Sequence, residues 1–457
     1  MRLALCSQTP LIRLTRNVKD SDNVLDISLL KEGEDYVFSP GGVTRMVYPL
    51  LRHMIQKGVL EKACWVSLNP RGPDRVWING IELINVKIDE PYLKSYGVVK
   101  EQMWKIFHGI SDDSPSSITE LAWLDDYAYY NLYNRVCSET LMELDRRKDF
   151  DLFYIHDFQQ IPTGHMLATL KPKVFRWHIP FDEKVVPADW APFLGKYFNS
   201  YDAVVVSCRS YLASLRKIGY EGKAYHVYPY IDFSEYPVPS SHKIRELCDR
   251  FALGDDDVVI ALVARLDPMK GHDLAIKAMA KVVKRFPKVK LVIVGDGSFS
   301  SSRQGLGLSK AELWKQKLTS LVENLGLSGN VVFTGHLSQE ELGCVYARCD
   351  FTLLPSRAEG FGLVVAESWL YGKPAIVSSS AGIAELVENE STGLLVNTEN
   401  TDEVAEAMSK LIGDEKLRLE MGENARKAVE LCSIERGLND ELKVLKAVGE
   451  GEQDEPG

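Results

Sequence analysis

The sequence predicts an α/β protein with two doubly wound parallel sheets, and three observations support this fold class. The chain has 457 residues, which is longer than one hydrophobic core usually spans, so two domains are expected. Short β-branched runs alternate with helical patterns through both halves of the chain. The runs are apolar on both faces, as is typical of parallel strands that helices cover on each side.

Each predicted strand is an apolar run of this kind. In the N-terminal half the runs are LALCS at Leu3, ACWVS at Ala63, LFYIHD at Leu152, KVFRWH at Lys173 and AVVVS at Ala203. In the C-terminal half they are VVIALVA at Val258, LVIVG at Leu291, VVFTG at Val331, FTLLP at Phe351 and PAIVS at Pro374. Because ligands of parallel sheets bind outside the carboxyl ends of the strands, functional residues are expected in the loops that follow these runs.

The domain boundary is predicted from a change in composition. The segment YPYIDFSEYPVPSS, which starts at Tyr228, is rich in Pro and Ser and precedes a helical pattern. We therefore predict an N-terminal domain over residues 1–235 and a C-terminal domain over residues 236–430. A C-terminal helix is expected at 431–447, with its return to the N-terminal domain left open, and an acidic disordered tail at 448–457.

Composition and charge narrow the class of function. Hydrophobic residues make up 45% of the chain and charged residues 26%, as in ordinary globular proteins. The net charge of −10 argues against a surface that binds nucleic acid or anionic membranes. The chain does not begin with a signal pattern, and no apolar run approaches the thickness of a bilayer. We expect a cytoplasmic enzyme of small molecules, with no nucleic-acid or membrane partner and with homo-oligomerisation left open.

The segment AEGFGLVVAES predicts an anion site at the start of a helix. Glu359 precedes the predicted helix and Glu367 lies within it. The free backbone amides of Gly362, Leu363 and Val364 would point at a ligand there, and the helix dipole favours negative charge. The alternative is structural, with one glutamate that caps the helix and a second on its solvated face.

Two further segments strengthen the functional interpretation. In ARLDPMKGHD, Arg265 and Lys270 follow a predicted strand and precede a helix, so two cations would lie at the carboxyl end of the sheet, where a diphosphate could bind. Their alternative role is that of solvated loop cations. In SPGGVTRMV, Gly41 and Gly42 open a helix, and a glycine pair there permits close approach of the backbone to a phosphate.

The C-terminal half resembles the nucleotide-binding half of the retaining GT-B glycosyltransferases. The matching segments are RLDPMKG, VGDGS, FTGHLSQEEL, PSRAEGFGLVVAE and AGIAELVENESTGLLV. The resemblance implies two Rossmann-like domains that face each other across a cleft and a nucleotide-sugar donor. It also implies a role for each donor residue: Arg265 and Lys270 on the diphosphate, Glu359 on the sugar hydroxyls, Glu367 on the ribose, and the backbone beside His336 and Leu337 on the base.

The N-terminal half is similar to the trehalose-6-phosphate synthases. Four segments match in order, namely the glycine pair, MWKIFH at Met103, YIHDFQQIP at Tyr154 and RWHIPFD at Arg176. The resemblance implies that Trp104, His156, Asp157 and His178 surround the two sugars. It also implies that Arg303, in GDGSFSSSRQ, binds the phosphate of the acceptor. The family also has an arginine near its N-terminus, and this arginine has no plain equivalent here. The segment SQTPLIRLTR departs from the family pattern, and Arg13 is the candidate for that position.

The chemistry of these residues suits sugar binding. A carboxylate such as Asp157 accepts hydrogen bonds from vicinal hydroxyls, an indole such as Trp104 stacks on a pyranose face, and a guanidinium binds phosphate through two bonds. The alternatives are a tryptophan of the core, a histidine at a strand end and an aspartate that caps a helix.

The resemblance implies a retaining transfer of glucose from a nucleotide-glucose, with UDP-glucose favoured, to glucose 6-phosphate. The expected route is front-face transfer, in which Arg265 and Lys270 stabilise the leaving diphosphate and His178 holds the donor sugar near the reacting carbon. No cofactor is expected and no metal, because the acidic run at Asp255 precedes its strand and lies on the wrong side of the sheet. Four alternatives stay open: a synthase that uses free glucose, another retaining GT-B sugar transferase, a non-catalytic sugar-nucleotide sensor and a UDP-sugar epimerase.

Overall fold

The computed structural model describes residues 1–15, 24–39, 41–110, 117–297 and 306–449. The chain forms two compact units, of which the N-terminal unit comprises Met1–Pro229 and Ile434–Gly457 and the C-terminal unit comprises Tyr230–Ser433. The division falls within the Pro- and Ser-rich segment that begins at Tyr228, and the last helix belongs to the N-terminal unit.

The elements of the N-terminal unit alternate between strands and helices. The strands are β1 (Arg2–Ser7), β2 (Ile12–Leu14), β3 (Val24–Asp26), β4 (Tyr36–Phe38), β5 (Lys62–Leu68), β6 (Arg75–Ile78), β7 (Ile81–Val86), β8 (Leu152–His156), β9 (Lys173–Arg176), β10 (Ala203–Val206) and β11 (Lys223–His226). The helices are α1 (Gly42–Gln56), α2 (Glu90–Phe107), α3 (Ile118–Trp123), α4 (Tyr127–Lys148), α5 (Thr163–Met166), α6 (Trp190–Phe198) and α7 (Ser210–Lys217).

The C-terminal unit alternates more regularly. Its strands are β12 (Val258–Val263), β13 (Val289–Val294), β14 (Val331–Gly335), β15 (Phe351–Leu354), β16 (Ala375–Ser378) and β17 (Gly393–Val396). Its helices are α8 (Ser241–Arg250), α9 (His272–Val282), α10 (Leu306–Asn324), α11 (Gln339–Arg348), α12 (Leu363–Leu370), α13 (Thr401–Gly413) and α14 (Glu415–Ala428). The last helix of the chain is α15 (Ile434–Gly449).

The main sheet of the N-terminal unit has the order β11-β10-β9-β8-β1-β5-β7-β6-β3. Strand β1 pairs with both β5 and β8 in parallel, so the strand order reverses at the boundary between β1 and β8. Strand β6 runs antiparallel to β7, and the two are joined by Asn79 and Gly80, whose φ angles are 48° and 81°. Such an Asn-Gly pair is a strong hairpin signal, which the sequence interpretation missed.

The sheet of the C-terminal unit has the order β14-β13-β12-β15-β16-β17, with parallel pairing throughout. Successive residues of β12 contribute to different cores, since Ile260 packs into one apolar cluster and Val259 into another. A strand that is buried on both faces explains the continuous apolar run in the sequence. The order reverses between β12 and β15, as in the Rossmann fold.

The predicted fold class is confirmed, because both units are Rossmann-like and doubly wound. Helix α15 continues to Gly449 and includes Val448, which the sequence interpretation placed in the tail. Val448 is 7% exposed and lies one helical turn after the buried Val444, so apolar spacing extends the helix. Residues 450–457 lie outside the described residues. Within the described ranges, no helix is both long and apolar enough to cross a membrane.

Candidate active site

The switch point of the C-terminal sheet brings together the cations and the first glutamate that the sequence singled out. Arg265 and Lys270 follow β12, and Glu359 follows the adjacent strand β15. The Lys270 Nζ atom lies 2.7 Å from Glu359 Oε2, and each of these two side chains is 17% exposed. Burial lowers the pKa of the Arg265 guanidinium, and the carboxylates of Asp267 and Glu359 oppose this shift. Arginine stays protonated in proteins, so Arg265 keeps its positive charge.

Close contact between the two loops fixes this arrangement. Gly271 adopts a φ of 70°, and a Cβ atom there would lie 2.0 Å from the carbonyl oxygen of Pro355. The backbone N–H of Arg357 donates to the Met269 carbonyl at 2.8 Å, which joins the same two loops again. The Arg357 guanidinium binds the carboxylate of Asp273 at 2.8 Å. The loops are therefore held before any ligand binds.

Helix α12 begins directly after Glu359, as the sequence predicted. Gly362 caps the helix with a φ of 107°, and a Cβ atom there would lie 2.7 Å from a methyl carbon of Leu354. Leu363 and Val364 form the start of the first turn, where backbone N–H groups lack partners within the helix. The helix N-terminus thus lies at the same edge of the sheet as the two cations.

Glu367 is buried, which excludes the structural alternative of a solvated helix face. Glu367 is 1% exposed, and each of its carboxylate oxygens accepts a hydrogen bond from a tyrosine hydroxyl. Tyr236 donates to Oε1 at 3.0 Å and Tyr346 donates to Oε2 at 2.7 Å. Each oxygen can accept a second hydrogen bond, so ribose binding stays a prediction. Sequence reasoning missed both tyrosines, because nothing in the local pattern connects them to Glu367.

The residues predicted to flank the base lie at the end of β14. His336 is exposed, whereas Leu337 is buried in a core cluster of the C-terminal unit. The preceding Gly335 accepts a hydrogen bond from Gly295 at 2.9 Å, which joins the ends of β13 and β14. Both residues are therefore on the carboxyl edge of the sheet, and their contact with a base stays a prediction.

Asp157 lies at the switch point of the N-terminal sheet, directly after β8. It adopts a φ of 70°, which is strained for a residue with a side chain. Its carboxylate accepts the backbone N–H groups of Phe158 and His178, yet burial raises the pKa of this carboxyl to about 7. Its Oδ1 atom is buried and has no hydrogen-bond partner among the described residues. A strained, buried polar group of this kind is typical of a binding site.

Two histidines adjoin Asp157. The His156 Nδ1 atom lies 3.0 Å from His178 Nε2. Burial and the nearby charge of Arg176 lower the pKa of His156 to about 3. Burial, His156 and Arg176 together lower the pKa of His178 well below its usual value. Both rings are therefore neutral near pH 7.

A buried ion pair lies near the two histidines. Arg176 and Glu441 are both fully buried and their side chains meet at 2.8 Å. The Tyr154 hydroxyl donates to the other oxygen of Glu441 at 2.6 Å. Glu441 lies on α15 among buried apolar residues such as Leu438 and Leu445. A charged residue at the core position of an amphipathic helix was the available signal, which the sequence interpretation did not use.

The remaining predicted residues are less closely grouped. Trp104 lies in the last turn of α2, where its ring stacks on His108 with centroids 4.2 Å apart. The neighbouring Phe107 packs on Phe158 at 6.0 Å, which brings this end of α2 towards Asp157. Helix α1 begins at Gly42, as predicted. Arg303 lies outside the described residues.

The C-terminal unit is similar to a known protein family. Residues 244–428 match the family described as Glycosyl transferases group 1. This part of the chain is similar to that family and is named the glycosyltransferase domain for that similarity. Residues 98–213 match the family described as Trehalose synthase, N-terminal domain, and this range includes Trp104, Asp157 and His178. One match lies in each half of the chain, and together they include Asp157, Lys270 and Glu359.

A curated relative of this chain is the D-inositol 3-phosphate glycosyltransferase of Corynebacterium jeikeium. The two are 35% identical over 167 residues, which is 36% of this chain and 38% of the relative. The similarity thus spans well under half of that protein.

Solved structures resemble the whole chain in fold. The α,α-trehalose 6-phosphate synthase from Burkholderia multivorans superimposes with a TM-score of 0.77 at 15% identity and covers 100% of this chain and 99% of its own. The trehalose-6-phosphate enzyme of E. coli, bound with UDP-2-fluoro glucose, gives a TM-score of 0.75 at 16% identity, with 98% and 99% coverage. Together with the glycosyltransferase domain, these matches establish the two-domain GT-B fold.

Proposed function

We propose that this protein is a retaining glycosyltransferase that moves glucose from UDP-glucose to glucose 6-phosphate and forms trehalose 6-phosphate. The observation that carries the proposal is the Lys270–Glu359 pair at the switch point of the glycosyltransferase domain, beside Arg265 and the N-terminus of α12. Cations and helix amides suit a diphosphate, and a carboxylate beside them suits the hydroxyls of the attached sugar.

The donor is a nucleotide diphosphate sugar in this proposal. Lys270 and Arg265 neutralise the diphosphate, and the amides of Leu363 and Val364 add the positive end of the helix dipole. Glu359 accepts hydrogen bonds from the sugar hydroxyls, and the hydrogen bond that Lys270 donates to it keeps its carboxylate oriented. Glu367, held by two tyrosines, accepts ribose hydroxyls. The E. coli neighbour with UDP-2-fluoro glucose supports UDP-glucose as the donor.

The acceptor binds to the N-terminal unit in this proposal. The match to the trehalose synthase N-terminal domain supports a glucose-type acceptor. Asp157 has an unfilled buried oxygen that accepts a sugar hydroxyl, and Trp104 offers an aromatic face. Arg303 is proposed to bind the 6-phosphate, because only a phosphorylated acceptor can form that charged contact.

The reaction is proposed to proceed on one face of the donor sugar. The bond from C1 to the diphosphate oxygen breaks, and a bond from C1 to the acceptor oxygen forms on the same face, so the anomeric configuration is retained. The leaving phosphate oxygen takes the proton of the acceptor hydroxyl, and Arg265 and Lys270 stabilise the charge that develops. No group of three or more His, Cys, Asp or Glu side chains that could hold a metal occurs among the described residues.

Free glucose is the second candidate acceptor, and the description Trehalose synthase for residues 98–213 favours it. Incubation of the protein with UDP-glucose and either acceptor, with UDP release and the disaccharide measured, decides between them. We expect faster release with glucose 6-phosphate, an α,α linkage in the product and unchanged activity in excess EDTA. A wild-type preference for free glucose would select the second candidate, and UDP-glucose binding without any turnover would favour a sensor.

The role of Arg303 is tested in the same assay. A bidentate charged hydrogen bond contributes about 1.5–3 kcal/mol, so Arg303→Ala should raise the KM for glucose 6-phosphate roughly tenfold or more. Donor hydrolysis and the reaction with free glucose should not change. Retention of the phosphate preference in this variant would remove Arg303 from the acceptor site.

A further inference from the structure

The contact between His156 and His178 is a hydrogen bond between two imidazole rings. His156 ends β8 and His178 follows β9, and 3.0 Å separates His156 Nδ1 from His178 Nε2. The ring planes differ by 22°, so the nitrogens can align in the planes of both rings. At this distance one ring must donate a proton and the other must accept it.

Each ring carries a single proton near neutral pH. Burial lowers the pKa of His156 to about 3, and burial lowers the pKa of His178 well below its usual value. A neutral imidazole has one N–H group and one bare nitrogen. The pair therefore has two arrangements, in which either His156 donates from Nδ1 or His178 donates from Nε2.

The surroundings of His156 distinguish the two arrangements. His156 is fully buried, and its Nε2 atom has no hydrogen-bond partner within the described part of the chain. If His178 donated, the proton of His156 would have to sit on this Nε2 atom, as a buried N–H without an acceptor. Buried N–H groups without acceptors are rarer in proteins than unfilled acceptors. The structure therefore favours a proton on His156 Nδ1 and a bare Nε2.

We propose that His156 is a positioning residue that donates from Nδ1 to His178 Nε2 and so fixes the proton of His178 on its Nδ1 atom. His178 then presents a hydrogen-bond donor and no basic nitrogen to a ligand. The matching ligand group is an oxygen that accepts a hydrogen bond, such as a sugar hydroxyl. The sugar rests on the proposed function, whereas the position of the protons does not.

This arrangement also constrains the chemistry of the site. The Nε2 atom of His178 is occupied as an acceptor and its Nδ1 atom already carries a proton, so neither nitrogen can accept the proton of the incoming hydroxyl. His178 can orient a sugar but cannot act as a general base. The arrangement agrees with a reaction in which the leaving phosphate takes that proton.

The positions of the protons can be measured on the full chain without substrates. Long-range ¹H–¹⁵N spectra of protein labelled with ¹⁵N-histidine distinguish the two neutral tautomers, and variants that lack one ring assign the signals. We expect both His156 and His178 to carry their protons on Nδ1. A proton on His178 Nε2 would overturn the proposal, whether or not the protein proves to be a transferase.

Two variants test the positioning role. In His156→Leu the donor is lost, so His178 should no longer be restricted to the Nδ1–H tautomer, and kcat/KM for transfer should fall about five- to tenfold. In His156→Asn an amide N–H replaces Nδ1–H, so the tautomer and most of the activity should return. His165→Leu, which removes an exposed ring on α5, is the matched control and should change neither quantity. If His178 keeps its Nδ1–H tautomer in a folded His156→Leu variant, His156 does not position it; if that variant fails to fold, the asparagine variant alone decides.

Discussion

The switch points of the two sheets carry different kinds of polar group. In the C-terminal unit, Lys270 and Glu359 form a partly exposed ion pair beside a helix N-terminus. In the N-terminal unit, His156 is neutral and Asp157 has a pKa of about 7, because both are buried. Fixed charge suits a diphosphate, whereas buried polar groups that can still form hydrogen bonds suit the hydroxyls of a sugar. The two switch points therefore offer different chemistry to a ligand.

The N-terminal unit also contains charged groups close to these residues, but they are fully buried. Arg176 pairs with Glu441 on α15, so neither charge is left uncompensated in the core. Removal of one partner of a buried ion pair is costly, whereas replacement of both by apolar side chains is often tolerated. The pair therefore acts mainly by stabilising the fold around the site.

The largest expected effect is the loss of protein stability when one partner of this pair is removed. Glu441→Gln leaves the Arg176 charge without its partner and should lower the free energy of unfolding by about 3–5 kcal/mol. The double variant Arg176→Met/Glu441→Leu should recover most of that loss. Denaturant unfolding of the two variants and the wild type measures both effects. A small loss in the single variant would contradict the interpretation of a strongly coupled buried pair.

The second effect concerns turnover and the C-terminal unit. Lys270→Ala and Arg265→Ala should each lower kcat about a hundredfold or more, because the charge of the leaving group loses a preorganised cation. Circular dichroism should show an unchanged fold. The control is Lys277→Ala, which removes an exposed lysine that pairs with Asp273 on α9. Turnover close to that of the wild type in both variants would remove the cations from the mechanism.

The smallest effect is a pH dependence of stability at Asp157. Burial raises the pKa of this carboxyl from 3.8 to about 7, so the folded protein binds more protons than the unfolded chain between these values. Stability is therefore lost as the pH rises through this window. Asp157→Asn removes this loss and should therefore stabilise the protein at pH 8 relative to pH 4.

Unfolding of the wild type and the variant at both pH values measures this difference. Asp125→Asn, which changes an exposed aspartate of the same unit, is the control and should show no such dependence. An equal effect of Asp157→Asn at pH 4 and pH 8 would show that the carboxyl is not desolvated.

The fold could be predicted from the sequence because its parallel strands are buried on both faces. Continuous apolar runs such as VVIALV in β12 follow directly from that burial. The predictions were less complete where one strand is short or lies at an edge. Strands β2, β3, β4, β11 and β17 were not predicted. The hairpin of β6 and β7 was also not predicted, although Asn79-Gly80 marks it and β7 is a fully buried internal strand.

The candidate site was predictable where its residues lie in one loop or one helix turn. Glu359, Gly362 and Glu367 share a single segment, so their placement around the start of α12 could be derived. The contact between Tyr154 and Glu441 joins residues 287 positions apart, and no local pattern contains that information. The same holds for Tyr236 and Glu367, which are separated by 131 positions. Such partners are defined by tertiary packing alone.

The proposal that the C-terminal unit binds the donor and the N-terminal unit binds the acceptor is tested most directly by calorimetric titration of UDP into three proteins. UDP should bind to the wild type, and Lys270→Ala should weaken that binding about tenfold or more, since a charge-assisted contact to the diphosphate is lost. Asp157→Asn should bind UDP with the affinity of the wild type, because Asp157 is assigned to the acceptor. Equal weakening by both substitutions, or unchanged affinity in Lys270→Ala, would contradict the account.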